Sequence, residues 1–161
     1  MRRLILMRHA KSCWENDALT DHERPLNKRG RRDAPRIAAK LARLGWAPDL
    51  VLSSDSARTK ETWARMRAAF LQPPRVVYLP TFYHAGLQAL QGELGNHEEE
   101  TVLALGHNPG WESCVAWLSG DSMRMTTANA ALLSHPAPTW GEAITSPAAW
   151  KLSQFLRPKE L

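Results

Sequence analysis

Apolar residues along this chain come in short unbroken runs, and each run is followed by a stretch with an apolar position every third or fourth residue. The first run, residues 4–7 (Leu-Ile-Leu-Met), contains no polar residue, which predicts a short strand buried on both faces. It stops at Arg8 and His9. A polar loop, 10–26, precedes "RRDAPRIAAKLARLG", where Ile37, Leu41 and Leu44 fall at helical spacing before Gly45 and predict a helix with a glycine stop. Further strands are predicted over 48–54, over 75–80, and from 100 into the "GHNPG" turn at 106–110. Between them, "DSARTKETWARMRAAF" has Asp55 or Ser56 to cap a helix striped by Trp63, Met66 and Phe70. Leu87, Leu90 and Leu94 mark a shorter helix, and "WESCVAWLSG" predicts another. In the tail, "TTANAALLSHP" and "WKLSQFLRP" predict closing strands on either side of a Pro/Thr/Gly-rich loop. Strands that alternate with helices predict a three-layer α/β/α fold: a mainly parallel central sheet with an antiparallel edge.

Length and composition narrow this picture. The chain of 161 residues is read as one domain, 1–161. No run approaches the ~18 apolar residues of a membrane span, and the run after Arg2-Arg3 is too short for a signal peptide, so a cytoplasmic protein with no membrane partner is expected. Cys13 and Cys114 lie far apart with no CxxC pair, which predicts reduced bystanders. The net charge of +5 is uneven: residues 1–44 carry 12 Lys+Arg against 5 Asp+Glu. "NKRGRRDAPR" has no aromatic interleaving and no recognised nucleic-acid motif, so a solvated helix start is expected rather than a nucleic-acid partner. An anionic substrate suits the same field.

Three strand ends then carry related chemistry. The first delivers Arg8 and His9, the second leads into a helix start bearing Arg58, and the fourth delivers His107 in "GHNPG". Parallel strands put their carboxyl ends on one sheet edge, so two arginines and two histidines are expected to meet there. Guanidinium forks and helix N-termini suit phosphate oxygens, which makes a histidine beside them a candidate nucleophile.

With "LMRHA", "SSDSARTKET" and "GHNPG" in that order, the chain resembles the histidine phosphatase superfamily, the phosphoglycerate-mutase-like fold. Its short length and its "DHERPLNKRG" loop are most similar to the small SixA-type phosphohistidine phosphatases. The resemblance implies that His9 becomes phosphorylated while Arg8, Arg58 and His107 grip the phosphoryl oxygens. Arg24 is implied at the pocket's rim, and no metal or other cofactor is implied. Most members have Gly after the Arg-His pair; this chain has Ala10, so strain is expected if the backbone there needs positive φ.

The other histidines carry less. His22, His97 and His135 are expected to be solvated or locally hydrogen-bonded, whereas His84, after the third strand, is a candidate for the substrate side of the site. A zinc site from His9, His84 and His107 has no supporting spacing such as HExxH. The seven tryptophans are expected to pack in core and loops. Residues 79–86 contain no Asp or Glu, although larger relatives place a proton-donating carboxylic acid after the third strand. An alkoxide leaving group needs that proton, whereas phosphohistidine can be protonated on its distal nitrogen and leave as neutral imidazole. The favoured substrate is therefore a phosphohistidine-bearing signalling protein. Two alternatives stand beside it: a phosphatase for sugar or nucleotide phosphates, and a non-catalytic anion- or nucleic-acid-binding module.

Overall fold

The computed structural model describes residues 1–161. Six strands, β1 (Arg2–Arg8), β2 (Leu50–Ser54), β3 (Val76–Leu79), β4 (Thr101–Gly106), β5 (Ala130–His135) and β6 (Lys151–Leu156), form one sheet in the order β3-β2-β4-β1-β5-β6. The unbroken apolar runs take the interior places. Leu4 to Met7 are wholly buried, because β1 pairs parallel with β4 on one side and antiparallel with β5 on the other, while helices cover both faces. β2 joins β3 and β4 in parallel, and β5–β6 supplies the antiparallel edge.

Side chains alternate across the sheet. Leu4 and Leu6 enter one core with α3 (Leu87–Leu94), α4 (Gly110–Ser119) and α5 (Trp140–Ala143). Ile5 and Met7 enter the other with α1 (Lys28–Arg43) and α2 (Ala57–Met66). This is the three-layer arrangement, and Trp46, Trp63, Trp111, Trp140 and Trp150 are all buried in it. No helix is long and apolar enough to cross a membrane.

Several boundaries differ from the sequence expectation, each for a local reason. α1 starts at Lys28, ahead of the predicted 31, because the Asn27 side chain accepts the Gly30 N–H at 3.0 Å. Ser56, not Asp55, caps α2, accepting the Thr59 N–H at 3.3 Å. Phe70 lies beyond the end of α2, yet its ring still stacks on Trp63 at 6.0 Å. The Pro/Thr/Gly-rich loop contains the short α5, capped by Thr139. Gly45 ends α1's turn with φ of +75°, as its position predicts.

Ala10 requires a correction. The non-glycine residues with positive φ are Ala128 (60°) and Ala148 (56°), so Ala10 is not left-handed and its methyl group brings no backbone strain. It is wholly buried, and its N–H donates to Thr62 Oγ1 at 3.1 Å.

Candidate active site

The carboxyl ends of β1, β2 and β4 meet at one edge of the sheet, where Arg8 and His9 from β1, His107 after β4 and Arg58 from the helix that follows β2 line a shared cleft of about 220 Å³. Its walls include Arg8, His9, Arg58, His107, Lys11 and Thr127. The His9 and His107 rings lie 5.2 Å apart. Arg58, in the first turn of α2, stands between them: its Nε donates to His9 Nε2 at 3.3 Å and its Nη2 lies 3.4 Å from His107 Nδ1.

These contacts specify both tautomers. His9 Nδ1 lies 2.7 Å from the Ala10 carbonyl, which can only accept, so Nδ1 carries the hydrogen. Nε2 is then left with its lone pair toward Arg58. His107 Nδ1 faces a guanidinium that can only donate, so its hydrogen sits on Nε2, which donates to Ser54 Oγ at 2.9 Å. Burial, reinforced by the nearby Arg58, His107 and Arg8 and opposed by the Ala10 hydrogen bond, pushes His9 down to about 3. Burial and Arg58 push His107 down to about 3 as well.

Both pKa values lie below the ordinary histidine value of about 6.5, which the unfolded chain retains. As pH falls below about 6.5 the unfolded state therefore takes up protons that the folded state refuses, at a cost of up to about 1.4 kcal/mol per pH unit for each ring. Stability is complete above that pH and declines toward pH 3. Melting temperatures measured from pH 7 to 4 are expected to fall, and less steeply in His9→Gln than in wild type. Identical slopes would mean that His9 is not held neutral.

Residues that the sequence reading did not single out frame the cleft. Asp21, in a 3₁₀ turn of the loop after β1, accepts from Arg58 twice, at its backbone O (2.7 Å) and at Oδ2 (3.0 Å). The Tyr83 hydroxyl also donates to Asp21 Oδ2, and the Tyr83 ring lies edge-on to His107 at 5.4 Å. The hydrogen bond from Tyr83, with help from Arg58, holds the Asp21 carboxyl below its usual range. Glu112 accepts from Asn108 Nδ2 at 2.7 Å and from the Met125 N–H at 3.0 Å. No periodicity signals such contacts; only the polar character of the 10–26 loop pointed to it.

Two expected residues stand further out. Arg24 stacks its guanidinium on Trp14 at 3.8 Å; Trp14 lines the cleft, while Arg24 sits one layer behind it. His84 is exposed and lines a separate cavity of about 250 Å³, which shares His107 and Asn108 with the first. His97 and His135 are locally bonded, to Glu93 (2.9 Å) and to the Ala137 N–H (3.0 Å). His22 bonds Asp55 at 2.9 Å and meets the Tyr83 ring edge-on, so it belongs to the outer wall of the site.

Close backbone approach fixes the frame. A Cβ at Gly110 would fall 1.8 Å from the Ala85 carbonyl, so α4 seats directly on the turn that carries Tyr83 and His84. A Cβ at Gly30 would fall 2.2 Å from the Lys11 carbonyl, which binds α1 to the loop after β1.

Comparison with known proteins adds the following. Residues 4–112 match the model of the histidine phosphatase superfamily, branch 1. An uncharacterised chloroplastic protein of Arabidopsis thaliana is 40% identical over 98% of this chain and 78% of its own length. Among solved structures, a protein of Agrobacterium tumefaciens named as a phosphohistidine phosphatase of the SixA type superposes with a TM-score of 0.83 at 29% identity, covering 98% of each chain. One of Nakamurella multipartitia with the same name gives a TM-score of 0.84 at 27% identity, over 98% of this chain and 96% of its own.

Proposed function

Since the chain belongs to the histidine phosphatase superfamily, we propose that it is a metal-independent phosphatase acting through a phosphohistidine intermediate on His9, with protein phosphohistidine as its substrate. Membership makes it a phosphatase, and the reading as a non-catalytic binding module gives way. The observation that carries the mechanism is the His9 tautomer: a neutral ring with Nδ1–H on the Ala10 carbonyl and a lone pair on Nε2 beside Arg58. In this reading Nε2 attacks phosphorus and the bond from phosphorus to the leaving group breaks. Water then attacks the phosphoryl-His9, releasing phosphate and returning the lone pair. Arg8 and Arg58 stabilise charge on the equatorial oxygens, so most of the acceleration comes from preformed positive charge. Arg8 Nε is buried without a partner, which supports its use as a donor to an anion.

The substrate class follows from the supply of protons. Two carboxylates approach the cluster, and both are engaged as acceptors: Asp21 by Tyr83 and Arg58, Glu112 by Asn108 and Met125. Neither supports the role of proton donor to an alkoxide. Phosphohistidine protonated on its distal nitrogen leaves as neutral imidazole, and the similarity to proteins named as SixA-type phosphohistidine phosphatases points the same way. The two free cysteines accord with action in a reducing cytoplasm.

A panel of a phosphohistidine peptide, phenyl phosphate, a phosphoserine peptide and a sugar phosphate tests this. The first two are expected to be cleaved at least about 100-fold faster in kcat/KM, the usual worth of general acid catalysis. Equal rates on all four remove the leaving-group argument. An alkyl-selective loss in His84→Ala would instead assign the proton to His84 and favour a small-metabolite substrate.

A further inference from the structure

A second cavity, about 400 Å³ and without a hydrophobic side chain in its lining, adjoins the cleft, and Thr127 lines both. We infer that this arginine-lined cavity docks an acidic stretch of the phosphorylated protein substrate. The inference rests on the phosphohistidine reading and adds to it the chemistry of the substrate's flank.

Charge and geometry carry it. Asp33 is 2% exposed and stands under three guanidiniums, with Arg29 at 3.6 Å, Arg32 at 3.3 Å and Arg36 at 3.6 Å. Lys159 adds a fourth cation to the lining, so one carboxylate faces four positive groups. The arginine side chains remain 57%, 65% and 40% exposed, which leaves N–H donors for a ligand. Asp33 gathers the three stems around one buried point and so limits the ordering that binding would otherwise require.

The same cations stand where a helix does not favour them. α1 has no acidic residue in its first turn and begins Lys28-Arg29, with Arg31 and Arg32 following. A cation at the positive end of a helix is unfavourable. Sequences tend to keep such local conflicts where function uses them.

The wall shared with the cleft is well held. Asn129 is wholly buried, and its Oδ1 accepts from the Thr126 N–H (3.0 Å), Thr126 Oγ1 (3.1 Å) and Arg157 Nη1 (2.7 Å). A small phosphate ester seated at His9 does not fill both cavities, whereas an extended peptide crosses Thr127 and places carboxylates among the arginines. No aromatic side chain lines the cavity, which disfavours a single-stranded nucleic acid that would stack its bases.

Two synthetic phosphohistidine peptides, one flanked by four glutamates and one by four glutamines, test the inference, with phenyl phosphate as the control. Wild type is expected to prefer the Glu peptide about tenfold in kcat/KM, chiefly through KM, and to lose the preference at high salt. The Arg29→Glu/Arg32→Glu variant is expected to lose it at any salt while cleaving phenyl phosphate normally. Fluorescence anisotropy of the unphosphorylated Glu peptide is expected to report binding to wild type and none to the variant, independently of turnover. Equal kcat/KM for both peptides overturns the docking site and leaves the phosphatase reading standing. Cleavage of phenyl phosphate but of neither peptide overturns the phosphohistidine reading, and anisotropy then decides the docking site alone. A hexaribonucleotide that binds more tightly than the Glu peptide would overturn the acidic-peptide assignment.

Discussion

Replacing His9 with alanine is expected to lower turnover by a factor on the order of 10⁴ to 10⁶, the scale seen when a covalent nucleophile is removed. The ring supplies, at Nε2, a buried lone pair that lies in the cleft 3.3 Å from the Arg58 Nε. The fold is expected to survive, because the sheet uses only the backbone of this residue: its N–H donates to the Gly106 carbonyl (3.1 Å) and its carbonyl accepts from Ala128 (3.0 Å). Brief reaction of wild type with labelled substrate, quenched in alkali, is expected to leave phosphate on His9 as an acid-labile phosphoramidate. Label on a serine or cysteine, or an alanine variant that keeps its activity, would refute the assignment.

The second large effect concerns Arg58. Its three nitrogens are divided among His9 Nε2, His107 Nδ1 and Asp21, so one planar group orders both rings and the loop after β1. A lysine ammonium is a point charge on a flexible stem and cannot hold three directions at once. Arg58→Lys is expected to lower kcat by about 10² to 10³, the usual cost of one preformed donor to a developing oxyanion. Asp21→Asn removes the charged anchor but keeps an oxygen acceptor, and a loss nearer tenfold, mainly in kcat, is expected. Single-turnover rates on phenyl phosphate separate the two. Arg58→Lys within threefold of wild type would mean that charge alone suffices.

How far this site can be read in the sequence depends on how its parts are held. β1, β2 and β4 are buried on both faces, so each appears as an unbroken apolar run, and the polar residues that follow mark the functional edge, directly after β1 and β4 and at the start of α2 after β2. Arg8, His9, Arg58 and His107 were legible for that reason, and the structure gathers them in one cleft. Asp21 was not. It reaches Arg58 from 37 positions away through a polar loop whose path follows from tertiary contacts such as Asn27 to the Lys11 carbonyl at 2.9 Å. Tyr83 was hidden similarly: a tyrosine after a strand looks like packing until its hydroxyl finds a carboxylate. α5 escaped notice because a single helical turn made by the Thr139 cap lacks the length to show a period. Arg24, expected at the rim, reaches the cleft only through Trp14, on whose ring its guanidinium stacks.

The position of β1 between a parallel and an antiparallel neighbour bears on how this protein ages and fails. Arg8 donates to the Asn129 carbonyl at 3.1 Å from the β5 side, and His9 donates to Gly106 from the β4 side, so both residues are stitched into the sheet interior. Amide protons in such a place exchange with solvent only when most of the domain opens. Mild denaturant or gentle heating therefore has no partly melted form in which the nucleophile is lost and the rest survives. The nucleophile's place is lost only with the sheet itself, so activity that declines before the sheet opens is expected to trace to the loop that carries Asp21.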